Sequence, residues 1–195
     1  AQLESFVEFY VAYFNRAPDA MGLAFWGTAF ANGLGLEEIA AQFMQQPEAQ
    51  AAYGGGTSNA DFVSAIYNNV LGRAPDAAGL QFWSAALDLG FFQRHEMILE
   101  VLEGARAPVS NGSGAQQALD QAYLEDKTDL GTFFAVTLGM SNLSNATTVM
   151  QIFNGSQSSL EAARSAAEGF HASANAAQGG DFLMPIVGVL DNPFG

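Results

Sequence analysis

The chain has 195 residues, of which 49% are apolar, so it can bury the core of one large domain or two small ones. Twenty acidic residues against six basic ones give a formal net charge of −14. This charge argues against nucleic acid and anionic membranes as partners, because both are bound through basic side chains. The absence of cysteine excludes disulfides, thiolate zinc sites and thiol nucleophiles.

Residues 1–53 predict a repeat of three helices. Apolar side chains recur at spacings of three and four before Asn15, which predicts an amphipathic helix capped by that asparagine. Pro18 prevents this helix from continuing, and Asp19 can cap a second helix that runs toward Gly33. A third helix is predicted over 36–52.

A glycine-rich break at 54–59 separates this repeat from a second one at residues 60–107. Residues 16–26 read RAPDAMGLAFW and residues 73–83 read RAPDAAGLQFW, so nine of eleven positions are identical at a constant offset of 57. The second copy therefore predicts the same three helices, the third over 94–103. The sequence favours an all-α protein built from two tandem three-helix repeats.

Both copies carry an arginine and an aspartate three residues apart, Arg16 with Asp19 and Arg73 with Asp76. One interpretation is a binding pair. The other, which we favour, is a structural turn in which the arginine reaches the aspartate or a helix-end carbonyl while the aspartate caps the next helix. Gly22 and Gly79 stand inside that helix at a cost of about 1 kcal/mol relative to alanine, so we predict a close backbone approach there, from the partner helix.

Residues 67–90, YNNVLGRAPDAAGLQFWSAALDLG, resemble the domain-of-unknown-function family 4214, and residues 10–33 resemble a second, more divergent copy. The shared signature is an aromatic helix, a glycine-arginine-x-proline-aspartate turn, and then glycine-leucine-x-aromatic-tryptophan. The first copy departs from it at Asn15, which replaces the glycine before the arginine. The resemblance covers about the first hundred residues of the chain.

This resemblance implies a biological context and no activity. Similar modules occur in large bacterial exported proteins, often beside calcium-binding glycine-aspartate repeats, and in surface-layer and adhesin-like proteins. Related N-terminal regions of surface-layer proteins are associated with attachment to cell-surface polysaccharide. No catalytic residues come with the family, so none are assigned.

The next region, residues 115–178, is predicted to be helical without the repeated motif. Its pattern predicts helices over 115–125, 129–138, 145–153 and 159–171, with a turn where DKTD stands at 126–129. Calcium is an alternative partner of four acids there, although their spacing does not match an EF-hand loop and the required glycine is missing. These acids are Asp120, Glu125, Asp126 and Asp129.

The last stretch, residues 179–195, is an apolar tail interrupted by proline and glycine, which makes it a poor helix. We expect an extended segment that packs on the core or docks on a neighbouring molecule through Phe182, Leu183, Ile186 and Val187. No lysine or arginine occurs from Ser165 onward, and this composition also resembles the uncleaved C-terminal signal of one-step export from Gram-negative bacteria.

Two phenylalanines at equivalent positions are further candidates for interaction. Phe25 and Phe82 lie about 200° around the helix from Leu23 and Leu80, so they cannot share the same packing surface. An adjacent repeat would cover them, and so would a partner subunit.

The sequence carries no recognisable catalytic or metal-binding constellation. His95 and His171 stand in no metal-ligand spacing, and the glycine-x-serine-x-glycine elbow is missing. We therefore predict a protein that is not an enzyme and has no metal ligands or cofactor, with calcium as the alternative already named. No apolar run has the length of a membrane helix and no cleavable leader is visible at Ala1, so we expect no transmembrane segment.

These features favour a non-enzymatic exported structural protein that forms homo-oligomers or polymers. We expect it at the cell surface of a Gram-negative bacterium or in extracellular material. The alternative is a recognition module for surface polysaccharide or lipopolysaccharide, which a groove lined by Trp26, Trp83 or tyrosines would support, because aromatic rings stack on sugars. Burial of both tryptophans would count against it.

Overall fold

A computed structural model describes residues 2–108 and 114–176 of the chain. Within these ranges the regular secondary structure is helical, without β-strands, which confirms the all-α prediction. The helices are α1 (Gln2–Phe14), α2 (Ala20–Ala31), α3 (Leu36–Met44), α4 (Pro47–Tyr53), α5 (Asn59–Leu71), α6 (Ala77–Asp88), α7 (Arg94–Arg106), α8 (Gly114–Thr132), α9 (Leu143–Ile152) and α10 (Gln157–Asn175). A π-helical turn, Phe133–Thr137, follows α8 directly.

The predicted caps of the repeated turn are confirmed. Asp19 accepts a hydrogen bond from the backbone N–H of Gly22, and Asp76 accepts one from that of Gly79, each at 2.7 Å. At the preceding helix ends, Asn15 has φ +48° and Gly72 has φ +67°. Both are left-handed conformations, which asparagine and glycine adopt most readily.

Another element does approach both glycines closely, but it does so through a side chain and not through its backbone. A Cβ placed on Gly22 would lie 2.0 Å from the hydroxyl oxygen of Tyr10 in α1. At the equivalent Gly79 it would lie 3.4 Å from the hydroxyl of Tyr67 in α5. The tyrosine of the first helix therefore contacts the backbone of the second in both copies, far more tightly in the first.

Several predicted helix boundaries are wrong. The helix expected over 36–52 is two helices, because Pro47 has no N–H to donate and begins α4 as its first residue. The third helix of the second copy runs on to Arg106. The turn expected at 126–129 lies inside α8, because a run of charged and polar residues without glycine or proline does not stop a helix.

The chain divides into two compact units. The described residues of the first fall in 2–11, 15–34 and 125–176, and those of the second in 12–14, 35–108 and 114–124. These units do not coincide with the sequence repeats, since residues 35–53 of the first repeat lie in the second unit.

The first unit buries aromatic and small side chains. The ring of Phe6 meets that of Phe30 edge-on with centroids 5.8 Å apart. Helices α9 and α10 pack together, and Ala163 and Ala167 of α10 are fully buried. The turn of the first motif is held by backbone hydrogen bonds, including one from Ala17 N–H to the carbonyl of Ala146 at 3.2 Å.

In the second unit α5 packs on α6 and α7, and α3 packs on α4 and α7. The glycine-rich break between the repeats is held by Arg94, which donates to the carbonyls of Tyr53 and Thr57 and to the side chain of Asn59. Its guanidinium also lies 4.8 Å from the ring centroid of Phe62. A single cation thus fixes the start of α5 and the start of α7 together.

Candidate functional site

The arginine and aspartate of the first motif form the structural turn that the sequence favours. Arg16 is buried, with one nitrogen 3.0 Å from the carbonyl oxygen of Ala17 and 3.5 Å from a carboxylate oxygen of Asp19. Its guanidinium lies 4.9 Å from the ring centroid of Tyr10. These contacts leave Arg16 no free face for a ligand.

In the second motif the arginine pairs with a carboxylate outside its own turn. Arg73 donates two hydrogen bonds to Asp120 of α8, at 2.7 and 2.6 Å, and keeps a longer one to the carbonyl of Ala74 at 3.3 Å. Two partners were expected for this arginine, the aspartate of its own turn or a helix-end carbonyl; its hydrogen-bonded carboxylate is Asp120 instead, and Asp76 caps α6. The hydrogen bonds to Asp120 raise the pKa of Arg73 above its usual value.

An apolar surface on α6 and the turn after it, which we call the α6 face, exposes three large hydrophobic side chains. Phe82 is 59% exposed, Leu89 69% and Phe91 74%. Together with neighbouring small residues they border a shallow cavity of about 390 Å³. None of its lining residues is charged; they are Ala78, Gln81, Phe82, Ala85, Ala86, Leu89 and Phe91.

The first unit exposes a related pair of apolar residues on α2. Phe25 is 61% exposed and Met21 is 56% exposed, one helical turn apart. Phe25 meets Trp26 edge-on at 4.9 Å, just as Phe82 meets Trp83 at 5.0 Å. The prediction that both phenylalanines lack cover from the core is therefore confirmed.

The second unit has a further concave feature, an aromatic and polar groove of about 250 Å³, which we call the Trp83 groove. Its lining residues come from α5, α6, α7 and α8 and the turn after α5: Tyr67, Leu71, Arg73, Trp83, Glu100, Val101, Gly104, Ala105, Gln117 and Asp120. Trp26 is buried, but Trp83 is only partly so. One of the two tryptophans thus lines a groove, as the recognition alternative requires.

The polar groups of the Trp83 groove divide into occupied and free ones. Asp120 accepts hydrogen bonds from Arg73 and from Gln116. Among the residues that the structure describes, none hydrogen-bonds the indole N–H of Trp83, the hydroxyl of Tyr67 or the exposed carboxylate of Glu100. Free donors and acceptors beside an aromatic ring are what a small polar ligand needs.

One cluster of metal-ligating residue types was missed from the sequence. Ligand atoms of Glu37, His95 and Glu96 lie within 4.8 Å of one another, because α3 and α7 pack with their first turns together. Glu96 already accepts a hydrogen bond from the N–H of Gln93 as a helix cap. The helix dipole stabilises acidic residues in the first turn of a helix, so the positions of Glu37 and Glu96 are explained without a bound metal.

His171 lies on α10 beside Asn175.

The remaining candidates from the sequence are placed as follows. The four interaction residues of the tail, Phe182, Leu183, Ile186 and Val187, lie outside the described residues. Asp120 is paired with Arg73. Asp126 and Asp129 are neighbours on α8, where burial and then the charge of Asp129 raise the pKa of Asp126. Calcium at these acids stays a prediction.

Residues 40–106 match the model of a family described as Domain of unknown function (DUF4214). This is the family that residues 67–90 resemble, so that prediction is confirmed. The match begins after the first motif, and the second copy of the family in residues 10–33 stays a prediction. No curated protein and no solved structure matches the chain.

The matched residues all fall in the second unit, which also holds the α6 face and the Trp83 groove. Over the described ranges, none of the helices combines the length and the hydrophobicity needed to cross a lipid bilayer.

Proposed function

We propose that this chain, whose residues 40–106 form a DUF4214 region, is a non-enzymatic exported structural protein whose copies bind one another. The observation that supports this best is the α6 face, because monomeric proteins rarely leave several large apolar side chains exposed together. The acidic composition, the lack of cysteine and the family resemblance favour the surface of a Gram-negative bacterium or extracellular material as its location.

A second copy of the chain is the partner that the charges favour. Two molecules that each carry a net charge of −14 repel one another, and the repulsion is weakest where neither presents a charge. The lining of the α6 face is free of charged residues. Contact through this face therefore brings no like charges together.

The presence of related aromatic surfaces on both units favours polymers over closed dimers. Phe25 and Phe82 occupy equivalent positions of the motif and are exposed to the same degree. A chain with two such surfaces can bind one copy through each, and heterologous contacts of this kind extend into filaments or layers unless the rotation closes a ring.

One face alone gives only weak association. Burying a phenylalanine or leucine side chain contributes about 1.5–3 kcal/mol, so Phe82, Leu89 and Phe91 together offer at most about 5–9 kcal/mol. The loss of translational and rotational freedom costs about 4–15 kcal/mol. Stable assembly therefore requires both surfaces, and we expect it to depend strongly on concentration.

The test is light scattering on the full chain over a range of concentrations, with and without calcium. Phe82→Ser should weaken association about 30-fold, since a loss of about 2 kcal/mol corresponds to that factor. Phe25→Ser should act in the same direction. Leu119→Ser is the matched control, because Leu119 is equally exposed but lies outside both surfaces. A wild-type chain that stays monomeric under all conditions contradicts the proposal.

A second function, recognition of surface polysaccharide or lipopolysaccharide, is favoured by the Trp83 groove. Its volume of about 250 Å³ lies just below the range typical of drug-sized ligands, about 300–1,000 Å³, which limits it to a small ring or the end of a longer chain. An aromatic wall with free polar groups beside it suits a sugar. The two functions are compatible, because the α6 face and the groove use different residues.

Glycan binding can be followed by tryptophan fluorescence, since Trp26 and Trp83 are the two tryptophans of the sequence. In a Trp26→Phe chain the signal comes from Trp83 alone. Saccharides that enter the groove should change this signal with saturation, and Trp83→Ala should abolish binding measured by calorimetry. A screen of saccharides without any saturable response would rule this function out.

A further inference from the structure

We propose that the Trp83 groove selects a cationic amino sugar, a pyranose ring that carries a protonated primary amine, over neutral sugars. This inference rests on the glycan-recognition function and adds a ligand class to it. Three observations support it: the carboxylate of Glu100 has no partner among the described residues, the indole ring of Trp83 is held in place beside it, and the groove is small.

The negative charge comes from Glu100. The groove is lined by Arg73, Asp120 and Glu100, and the first two neutralise one another through two hydrogen bonds. Glu100 is exposed on α7, and none of the described residues forms an ion pair or hydrogen bond with its carboxylate. One uncompensated negative charge therefore remains, and an ammonium group can meet it with a charge-assisted hydrogen bond.

The aromatic wall is the indole of Trp83. Its ring meets those of Phe82 and Phe92 edge-on, with centroids 5.0 and 5.5 Å away, which fixes its orientation. The face of Tyr67 is less available, since the guanidinium of Arg73 lies 5.7 Å from its centroid. Trp83 thus remains as the stacking surface, and a cation close to indole gains further attraction from the ring.

Hydroxyl groups of a sugar find partners in the same groove. The indole N–H of Trp83 can donate a hydrogen bond, and the hydroxyl of Tyr67 can both donate and accept. Neither group bonds any residue within 2–108 or 114–176. A ring with several hydroxyls satisfies both, whereas a simple aliphatic amine satisfies only Glu100.

Gly104 offers a way to close the groove without disturbing the fold. It lines the groove within α7, and a Cβ added there would meet no atom within 4 Å. A leucine at this position is favoured by helix propensity and occupies the open space. Gly169 of α10 is the matched control, because it too has open space around it and belongs to the other unit.

The experiment is isothermal titration of the full-length chain with glucosamine, N-acetylglucosamine and glucose at one pH and low salt. Glucosamine should bind at least about tenfold more tightly than the two neutral sugars. Glu100→Gln should remove that preference while neutral sugars still bind. Gly104→Leu should abolish binding of all three, and Gly169→Leu should leave it unchanged.

The outcomes separate the ligand class from the function. Equal affinity for the three sugars, or a preference that survives Glu100→Gln, would overturn the selection of a cation while glycan recognition stands. Binding of ethylamine as tight as that of glucosamine would overturn the requirement for a ring. If none of the three sugars binds the wild-type chain, the inference is overturned, and a wider saccharide screen then decides the function itself.

Discussion

Alanine at Gly22 should destabilise the protein, whereas alanine at the equivalent Gly79 should not. A Cβ on Gly22 would lie 2.0 Å from the hydroxyl oxygen of Tyr10 and 2.9 Å from a carboxylate oxygen of Asp19. Tyr10 is only 4% exposed, so its ring has little room to move away. On Gly79 the nearest atoms would lie at 3.3 and 3.4 Å, which requires only a small adjustment.

The change in the free energy of unfolding follows from two opposing contributions. Forcing an extra carbon into a packed site costs about 1–3 kcal/mol, and the overlap at Gly22 points to the upper end. Replacing a helical glycine by alanine returns up to about 1 kcal/mol. We expect Gly22→Ala to lose about 2 kcal/mol of stability and Gly79→Ala to gain up to about 1 kcal/mol.

Urea unfolding monitored by circular dichroism measures both variants. A rescue variant makes the interpretation specific: Tyr10→Phe in the Gly22→Ala background removes the overlapping oxygen and leaves the nearest ring carbon at 3.0 Å. That double variant should recover part of the loss. Equal midpoints for the two alanine variants, or no recovery with phenylalanine, would refute the steric reasoning.

Three further predictions concern single residues. Burial lowers the pKa of Lys127 from its usual 10.5 to about 8, so the unfolded chain binds more protons between these values. Stability should therefore rise by up to about 3 kcal/mol as pH increases through this window, and Lys127→Met should lack this rise. Gly72→Ala should cost more than 2 kcal/mol in thermal unfolding, because φ is +67° and the new Cβ would lie 2.4 Å from the ring of Tyr123; an unchanged melting temperature would contradict this. Asp120→Asn should cost about 1–2 kcal/mol in urea unfolding by weakening both bonds to Arg73, and an unaltered midpoint would show that the pair contributes little.

Features that depend on residues three or four apart could be predicted from the sequence. The caps at Asp19 and Asp76, the left-handed helix end at Gly72 and the exposure of Phe25 and Phe82 are set by local geometry. The repeat supports these predictions, because the same residues adopt the same local structure in both copies.

Features that depend on distant parts of the chain could not be predicted. Arg73 and Asp120 are 47 residues apart, and His95 meets Glu37 only because α3 and α7 pack together. The Trp83 groove likewise draws on four helices. The spacing of residues along the sequence does not predict such long-range contacts.

The turn predicted at 126–129 shows how burial overrides a local signal. Charged residues suggested a solvated turn, but Lys127 and Thr128 are both buried inside a continuous helix. The side chain of Lys127 donates a hydrogen bond of 2.6 Å to that of Asn15, the residue that ends α1. This contact between residues far apart in the sequence stabilises the helical conformation of α8 at 126–129, and it could not be predicted from those four residues alone.

The central claim is that copies of this chain associate through exposed aromatic residues. The most direct measurement is the mass distribution by sedimentation velocity of the wild-type chain, the Phe25→Ser/Phe82→Ser double variant and a chain shortened at Gln178, at increasing concentration. We predict assemblies for the wild type and monomers for the double variant, while loss on shortening would add the apolar tail to the contact. A monomeric wild type, or a double variant that assembles as fully as the wild type, would contradict the claim.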